Sequence, residues 1–259
     1  LGESWSNIAP DGTWQSPSGE TWDAIAHPER DMFFYREDER FAHGGWAYPF
    51  TCNTFAQCGQ DYQAAHDEYV YVYSIEGTAS NELLLARAPR ARIGQRAAWE
   101  FCSGLGNDVP SWSPRLADRQ PIHRFPDRTG DDCFSWYSWL PSVVYNSGLG
   151  VFVMATHGTY THSLRADTYH DARVHTKTGS LMLLWAEHPW GPWKQLYYEP
   201  YWIADDYRDK TYQTTLSQKW ISDDGTRMVL IWSDAAADET GRSHQLNYRW
   251  NQMEIELQL

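Results

Sequence analysis

Short runs of apolar residues, each bounded by Gly, Pro, Asn or Asp, follow one another along most of the chain. Runs of this length, rich in Val, Ile, Tyr, Trp and Leu, are typical of β-strands. No segment keeps the apolar spacing of an amphipathic helix over three turns. The pattern therefore predicts an all-β chain.

The same order of four runs occurs three times along the sequence. The second run of each set is the most apolar, with centres at Val72, Val153 and Leu230. A small four-stranded antiparallel sheet cannot bury both of its faces alone, so we expect the copies to stack. Radial stacking of such sheets makes a β-propeller. The three predicted blades cover about 51–103, 134–199 and 211–259.

The chain outside the predicted strands comprises an N-terminal segment and two long insertions. Residues 1–50 hold two Trp-containing runs, DGTWQ and GETWD, which predict a partial blade. We treat residues 1–259 as one propeller domain, either five-bladed or lacking an N-terminal blade. The segments 104–138 and 157–179 are predicted insertions, and functional groups often lie on such loops.

Charge and composition exclude several classes of function. The chain carries 34 Asp and Glu against 21 Lys and Arg, a net charge of −13. Nucleic acids and anionic membrane surfaces attract basic proteins, so neither is an expected partner. No apolar run approaches the roughly 18 residues that a membrane span needs. The 15 Trp, 16 Tyr and 9 Phe argue against disorder, and they predict a ring-rich core or platforms that stack on sugars.

Four cysteines, Cys52, Cys58, Cys102 and Cys133, allow three disulfide pairings. Cys52–Cys58 would be a short local bridge, and Cys102–Cys133 would close a long loop. Free buried thiols are the alternative. No CxxC spacing is present, so no zinc site is expected.

Five motifs, in one order, resemble those of a large family of secreted five-bladed β-propeller proteins catalogued as a domain of unknown function. The motifs are FAQCGQDYQAAHDEYVYVYS at 55–74, LLLARAP at 83–89, SVVYNSGLGVFVMAT at 142–156, EHPWGPW at 187–193 and QKWISDDGTRMVLIWSDA at 218–235. That family is similar to glycoside hydrolases that cleave arabinans and other furanosides. The resemblance implies an extracellular protein that acts on a polysaccharide or oligosaccharide.

Glycoside hydrolysis needs two carboxyl groups, one that donates a proton and one that acts as base or nucleophile. In a propeller such groups gather near the axis, before the inner strands and after the second strands. Asp132, Asp209 and Asp234 occupy such positions and are the predicted catalytic residues. Each could instead be a solvated loop acid.

The insertion 157–179 is rich in His, Tyr and Arg, and His157, Tyr160 and Arg165 are predicted to contact substrate. His and Tyr are the bases of polysaccharide lyases, and Arg can clamp a uronic acid carboxylate. The alternative is a polar loop exposed to solvent.

Three further residues are predicted to bind substrate: Trp136, Lys219 and Trp220. The Lys–Trp pair lies on an inner strand, where the ammonium could hold an anionic or hydroxyl-rich ligand. A salt bridge to a neighbouring blade would explain the lysine equally well.

The sequence thus favours a glycoside hydrolase over a non-catalytic carbohydrate-binding propeller, and either over a lyase. No cofactor is expected. Hard oxygen ligands in the link between the first two strands of the first blade make a structural calcium ion the minority alternative there. The residues concerned are Asp61, His66, Asp67 and Glu68.

Overall fold

A computed structural model of the chain describes residues 14–15, 21–22, 50, 53–75, 81–125, 128–129, 133–135, 139–158, 160–161, 180–199, 202, 209–236 and 249–258. The strands in these ranges are β1 Trp14–Gln15, β2 Thr21–Trp22, β3 Thr54–Phe55, β4 Tyr69–Ile75, β5 Glu82–Pro89, β6 Glu100–Gly106, β7 Val109–Ser113, β8 His123–Arg124, β9 Arg128–Thr129, β10 Cys133–Ser135, β11 Trp139–Asn146, β12 Val151–Gly158, β13 Tyr160–Thr161, β14 Ser180–Ala186, β15 Lys194–Glu199, β16 Asp209–Ile221, β17 Arg227–Ala236 and β18 Arg249–Glu256. The helical segments in the same ranges are 3-10 turns at Gln60–Tyr62, Arg90–Arg92, Arg96–Ala98 and Leu116–Asp118. No helix of the described ranges is long and apolar enough to cross a membrane.

Three sheets make up most of this structure. Sheet I has the strand order β3-β4-β5-β6-β7, with β8 also paired to β5. Sheet II has the order β11-β12-β14-β15, and sheet III the order β16-β17-β18. A small cap sheet has the order β13-β10-β9, and β1 pairs with β2 in a separate ribbon. All named strand pairs are antiparallel, so the prediction of an all-β antiparallel chain is confirmed for the described residues.

Sheet II lies between sheets I and III, and both of its faces are buried. Successive strand residues point to opposite faces. On β12, Phe152 and Met154 therefore pack towards sheet I, whereas Val151 and Val153 pack towards sheet III. In a sheet that is buried on both faces, the strand residues of both faces are apolar. This explains why the sequence of β12 is an almost continuous apolar run.

Two apolar cores result, one on each side of sheet II, and a third, which includes Val72, Leu84 and Phe101, covers the other face of sheet I. In the core between sheets I and II, Tyr73 and Leu85 meet Met182. In the core between sheets II and III, Leu183 meets Leu230 and Leu216. Large buried aliphatic side chains stabilise folded proteins by about 1.5–3 kcal/mol each. The stacking of consecutive sheets thus provides the apolar burial that none of them could achieve alone.

The predicted four-run repeat is confirmed in sheets I and II and needs correction in sheet III. The predicted third and fourth strands of the last repeat, at 245–250 and 253–257, are replaced in the described residues by the single strand β18. It pairs with β17 in an unbroken register from Arg249 to Glu256. Sheet I is also larger than predicted, because β7 and β8 come from the segment interpreted as an insertion. The five-bladed ring itself stays a prediction.

A tight hairpin joins β6 to β7 and explains part of this difference. Asn107 and Asp108 form its two-residue turn, and both have a positive φ, 52° and 61°. Positive φ at both central residues defines a type I′ turn, for which Asn and Asp are well suited. The Asn-Asp pair was therefore the sequence signal for a fifth strand in sheet I.

Two hairpin turns, one from sheet II and one from sheet III, touch backbone to backbone. A Cβ atom added at Gly148 would lie 2.3 Å from the Gly225 nitrogen, and Gly225 has a φ of 76°. Asn146, buried beside them, donates through Nδ2 to the Gly225 oxygen at 2.8 Å and accepts from the Leu149 nitrogen at 3.1 Å. The predicted turn at 223–225 is thus confirmed and also holds sheet III against sheet II.

The EHPWGPW segment between β14 and β15 fastens sheet II to sheet I. The buried Tyr73 hydroxyl donates to the Pro189 oxygen at 2.6 Å, and the Tyr73 ring packs edge-on against Trp193. Trp190 donates through Nε1 to the Asp108 oxygen at 3.0 Å. The segment is therefore a structural clasp.

Cys58 and Cys102 are free, buried thiols, so neither expected disulfide is present. Both lie in the core between sheets I and II and behave there as small apolar side chains. Burial, followed by the charge of Asp67, raises the pKa of the Cys58 thiol to about 11. Cys52 lies outside the described residues, and Cys133 belongs to β10.

Replacement of Gly148 by Ala tests the contact between the two turns. The added methyl group would overlap backbone atoms that cannot move independently, so we expect Gly148→Ala to lower the free energy of unfolding by about 1–3 kcal/mol. Gly94→Ala is the matched control because a Cβ there meets no atom within 4 Å. Urea unfolding of both variants checks this, and equal midpoints would contradict the contact.

Alkylation tests the state of the thiols. We expect iodoacetamide at pH 8 to leave Cys58 and Cys102 unmodified in the native protein, because the thiolate is the reactive form and both groups are buried. In denaturant without reductant both should be modified, as peptide mass spectrometry would show. Modification that requires prior reduction would mean that disulfides exist.

Candidate functional site

The inner edges of the three sheets contact one another. The Gln57 nitrogen donates to the Val143 oxygen at 2.9 Å, and the Tyr145 nitrogen donates to the Gln57 oxygen at 2.8 Å. These bonds form a parallel bridge between the segment that follows β3 and strand β11. The inner strands of sheets I and II therefore run in the same direction.

Strand β16 joins this pair through side chains. The Leu216 nitrogen donates to Ser142 Oγ at 3.0 Å, and Gln218 Nε2 donates to the Tyr145 oxygen at 3.0 Å. Gln57 Nε2 donates to the Leu216 oxygen at 3.4 Å. Three side chains thus replace the strand-to-strand bonds that the inner edges lack, because buried backbone groups need partners.

We call the N-terminal ends of β3, β11 and β16 the upper end and their C-terminal ends the lower end. A cavity of about 250 Å³ opens at the upper end. Its described lining consists of neutral residues: Asn53, Thr54, Gln57, Pro141, Ser142, Gln213 and Thr215. Amide and hydroxyl groups both donate and accept hydrogen bonds, so this lining suits a ligand rich in hydroxyl groups.

His157 also lies at the upper end, but it is not presented to a substrate. It belongs to β12, it is 1% exposed, and its Nε2 accepts a hydrogen bond from the Gln213 nitrogen at 3.2 Å. Gln213 has a positive φ of 56°, which its bond to His157 helps to hold. The structure therefore differs from the expectation of a substrate-contacting loop histidine, because the side chain anchors β16 inside the protein.

Two of the predicted catalytic acids lie at neighbouring backbone positions of sheet III, again at the upper end. Asp209 pairs with Ala236, and Asp234 pairs with Thr211. The two aspartates are therefore diagonal neighbours on adjacent strands, a relation that separates residues by about 7–8 Å. Asp132 lies outside the described residues, directly before β10.

The two predicted insertions pair with each other. Ser135 of β10 pairs with Tyr160 of β13, which follows β12 at the upper end. The cap sheet thus brings the chain next to Asp132 to the same end as Asp209 and Asp234. Trp136 and Arg165 lie outside the described residues.

Lys219 and Trp220 are separated from the other predicted site residues. Lys219 follows Asp209 by ten residues on β16, whose irregular stretch 209–221 pairs with 236–228 of β17. At about 3.3 Å per residue of β17, the stretch spans roughly 25 Å. Trp220 is 43% exposed and packs edge-on against Trp250. Lys219 and Trp220 therefore lie at the lower end.

A much larger cavity, of about 880 Å³, opens at the lower end. Its described lining is Phe55, Ala56, Gln57, Cys58, Gly59, Gln60, Tyr62, Gln63, Ala64, Ser147, Ser217, Gln218 and Lys219. Gln57 lines both cavities, so its side chain lies between them on the line of the inner strands.

The link that carries Asp61, His66, Asp67 and Glu68 is used structurally at two of these positions. Asp67 accepts hydrogen bonds from the Tyr69 nitrogen at 2.9 Å and the Tyr71 hydroxyl at 2.6 Å. His66 packs edge-on against Tyr145 with ring centroids 4.4 Å apart. Among the residues described, no group of three His, Cys, Asp or Glu side chains could hold a metal ion.

The sequence analysis missed the central polar residues Gln57, Ser142 and Gln218. Their signal was present: each is a polar residue in or beside an apolar inner run, and Gln57 and Gln218 each lie two residues after the residue that pairs with the centre of the second strand. A polar side chain there has a physical reason, since it completes the hydrogen bonding of an inner edge.

Neither a protein-family model nor a curated protein matches the sequence. Among solved structures, the chain is similar to an exo-β-1,3-galactanase from Clostridium thermocellum, with 11% identity, a TM-score of 0.39, and coverage of 89% of this chain and 38% of that one. It is also similar to an exo-β-1,3-galactanase from Phanerochaete chrysosporium, with 12% identity, a TM-score of 0.37, and coverage of 94% of this chain and 41% of that one. A third similar structure is a GH43 β-1,3-galactosidase, with 12% identity, a TM-score of 0.37, and coverage of 95% of this chain and 65% of that one.

These structural neighbours are glycoside hydrolases by description, and the chain spans about two fifths of the length of the two galactanases. All three TM-scores are below 0.5, so we assign no family from them. The resemblance to secreted propellers and to arabinan-cleaving enzymes stays a prediction.

Removal of the Ser142 hydroxyl tests the central hydrogen bonding. Ser142→Ala would leave the buried Leu216 N–H without its acceptor, so we expect a loss of about 1–3 kcal/mol in the free energy of unfolding. Ser111→Ala, at an exposed strand position, is the matched control and should change stability little. Urea unfolding of the two variants makes the comparison, and a Ser142→Ala protein as stable as the control would contradict this role.

Proposed function

We propose that the chain is an extracellular carbohydrate-active protein of the glycoside hydrolase type, which cleaves a polysaccharide at the upper end with Asp209 and Asp234 as its carboxyl pair. The single observation that carries the proposal is the register of β16 and β17. It makes these two acids diagonal neighbours at the end where the hydroxyl- and amide-lined cavity opens.

Hydrolysis of a glycosidic bond assigns one task to each carboxyl group. One is protonated and donates to the leaving oxygen, and the other activates water or attacks the sugar carbon. The carboxyl groups of such enzymes are about 5–9.5 Å apart. The diagonal relation of Asp209 and Asp234 is compatible with this range, and Asp132 remains a third candidate on the neighbouring chain segment.

The lining supports a neutral saccharide as the substrate. Within its described part the upper cavity has no charged group, and its amides and hydroxyls match sugar hydroxyls. The net charge of −13 slows the approach of an anionic chain. A lyase is the least supported alternative, because His157, one of the predicted bases, is buried.

A non-catalytic carbohydrate-binding protein is the second candidate. The observation that favours it is the same neutral lining, since binding without chemistry needs no ionisable group in the cavity. The two candidates differ in whether the saccharide is cleaved after it is bound.

Substitution of the acids separates these functions. With neutral polysaccharides such as arabinan and β-1,3-galactan, we expect Asp209→Asn and Asp234→Asn each to lower the release of reducing ends about 100-fold or more, the usual contribution of general acid–base catalysis. Polysaccharide retention in affinity electrophoresis should persist in both variants. Asp223→Asn, on the turn at the lower end, is the control and should keep full activity.

Three outcomes would contradict this proposal. Retention of a polysaccharide by the unmodified protein without release of reducing ends would select the binding protein. Full activity in both Asn variants would show that the catalytic pair lies elsewhere. An unsaturated uronide released from a polysaccharide that contains uronic acid would select the lyase.

A further inference from the structure

We propose that the lower cavity is a second saccharide site, distinct from the upper end, which binds a sugar carboxylate such as a uronic acid unit. The proposal stands on the lining of this cavity and not on the proposed hydrolysis. It would extend the ligands of the chain to acidic saccharides despite the negative net charge.

The walls of the cavity are formed by hydrogen bonds between the three inner strands. The Gly59 nitrogen donates to Gln218 Oε1, while Gln218 Nε2 donates to the Tyr145 oxygen. The Tyr62 hydroxyl donates to the Ala56 oxygen. Because these groups hold one another, the site is formed before any ligand arrives, which lowers the entropic cost of binding.

The charge in the cavity points to an anion. Lys219 is exposed and makes no ion pair with a carboxylate of the described residues. No Asp or Glu is among the described lining, although Asp61 lies in the adjoining turn. An ammonium group in a cleft without a competing carboxylate is a ready donor to a ligand carboxylate.

The remaining lining fits the rest of a sugar ring. The Phe55 ring is 48% exposed at the cavity, and aromatic rings stack on the C–H faces of sugars. Gln60 and Gln63 are exposed amides, and Ser147 and Ser217 add hydroxyl groups. A flat apolar surface, several neutral polar groups and one cation together match a carboxylated sugar better than an inorganic anion.

The test compares D-glucuronate with D-glucose, which differ only in the carboxylate at C6. In ligand-observed NMR titrations with the whole chain, we expect glucuronate to bind about tenfold more tightly, the ratio of one charge-assisted hydrogen bond. Lys219→Gln should reduce the affinity for glucuronate to that for glucose. Phe55→Ala should weaken both sugars, and added salt should weaken glucuronate alone.

Matched controls make the result specific to this cavity. Lys194→Gln removes a cation that lies over Trp185, 4.2 Å from the ring centre, on the outer strand of sheet II. It should leave both affinities unchanged. Hydrolysis at the upper end is tested separately, by Asp209→Asn and Asp234→Asn, so failure of one proposal does not decide the other.

Three results would overturn the proposal. They are undetectable binding of glucuronate, equal binding of the two sugars by the unmodified protein, and a preference for glucuronate that survives in Lys219→Gln. Circular dichroism and the unfolding midpoint of each variant show that the chain is folded, and exposed Lys219 is replaced without disturbing the core.

Discussion

The structure depends on how the inner edges of three sheets satisfy their backbone hydrogen bonds where no further strand can pair in the antiparallel manner. A parallel bridge at Gln57 joins sheet I to sheet II, and Ser142 and Gln218 join sheet III to sheet II. An edge strand left unpaired is a liability in water and a cost when buried. These hydrogen bonds therefore determine how the inner strands are arranged, and the two cavities lie at the upper and lower ends of the strands.

The second constraint is the close approach of the sheets on either side of sheet II. Alternation along β12 supplies an apolar face to both neighbours, while the turns at Gly148 and Gly225 set how near sheet III can come. Asn146 donates a hydrogen bond to the Gly225 oxygen at that contact. At the contact with sheet I, the Pro189 oxygen accepts a hydrogen bond from the Tyr73 hydroxyl. Apolar burial drives the stacking, and a few directional contacts fix its geometry.

The two ends of the inner strands have different chemistry because the strands run in the same direction. Their N-terminal ends collect neutral amides and hydroxyls beside the backbone positions of Asp209 and Asp234. Their C-terminal ends collect Lys219 and an exposed aromatic ring. The position of a residue along an inner strand thus determines the end at which it lies. Asp209 and Lys219, which the sequence had placed in one predicted site, therefore lie at opposite ends.

The sequence by itself determined the all-β class, the repeated order of strands in sheets I and II, and the turn at 223–225, because alternation and turn residues act over a few neighbouring positions. It also pointed to acids near the ends of strands. Only the tertiary structure decided that His157 is buried, that Cys58 is a free thiol, and that Lys219 lies far from Asp209. Each of these depends on which strands become neighbours, and partners 56 or more residues apart in the chain, such as His157 and Gln213, leave no local pattern from which their contact could be predicted.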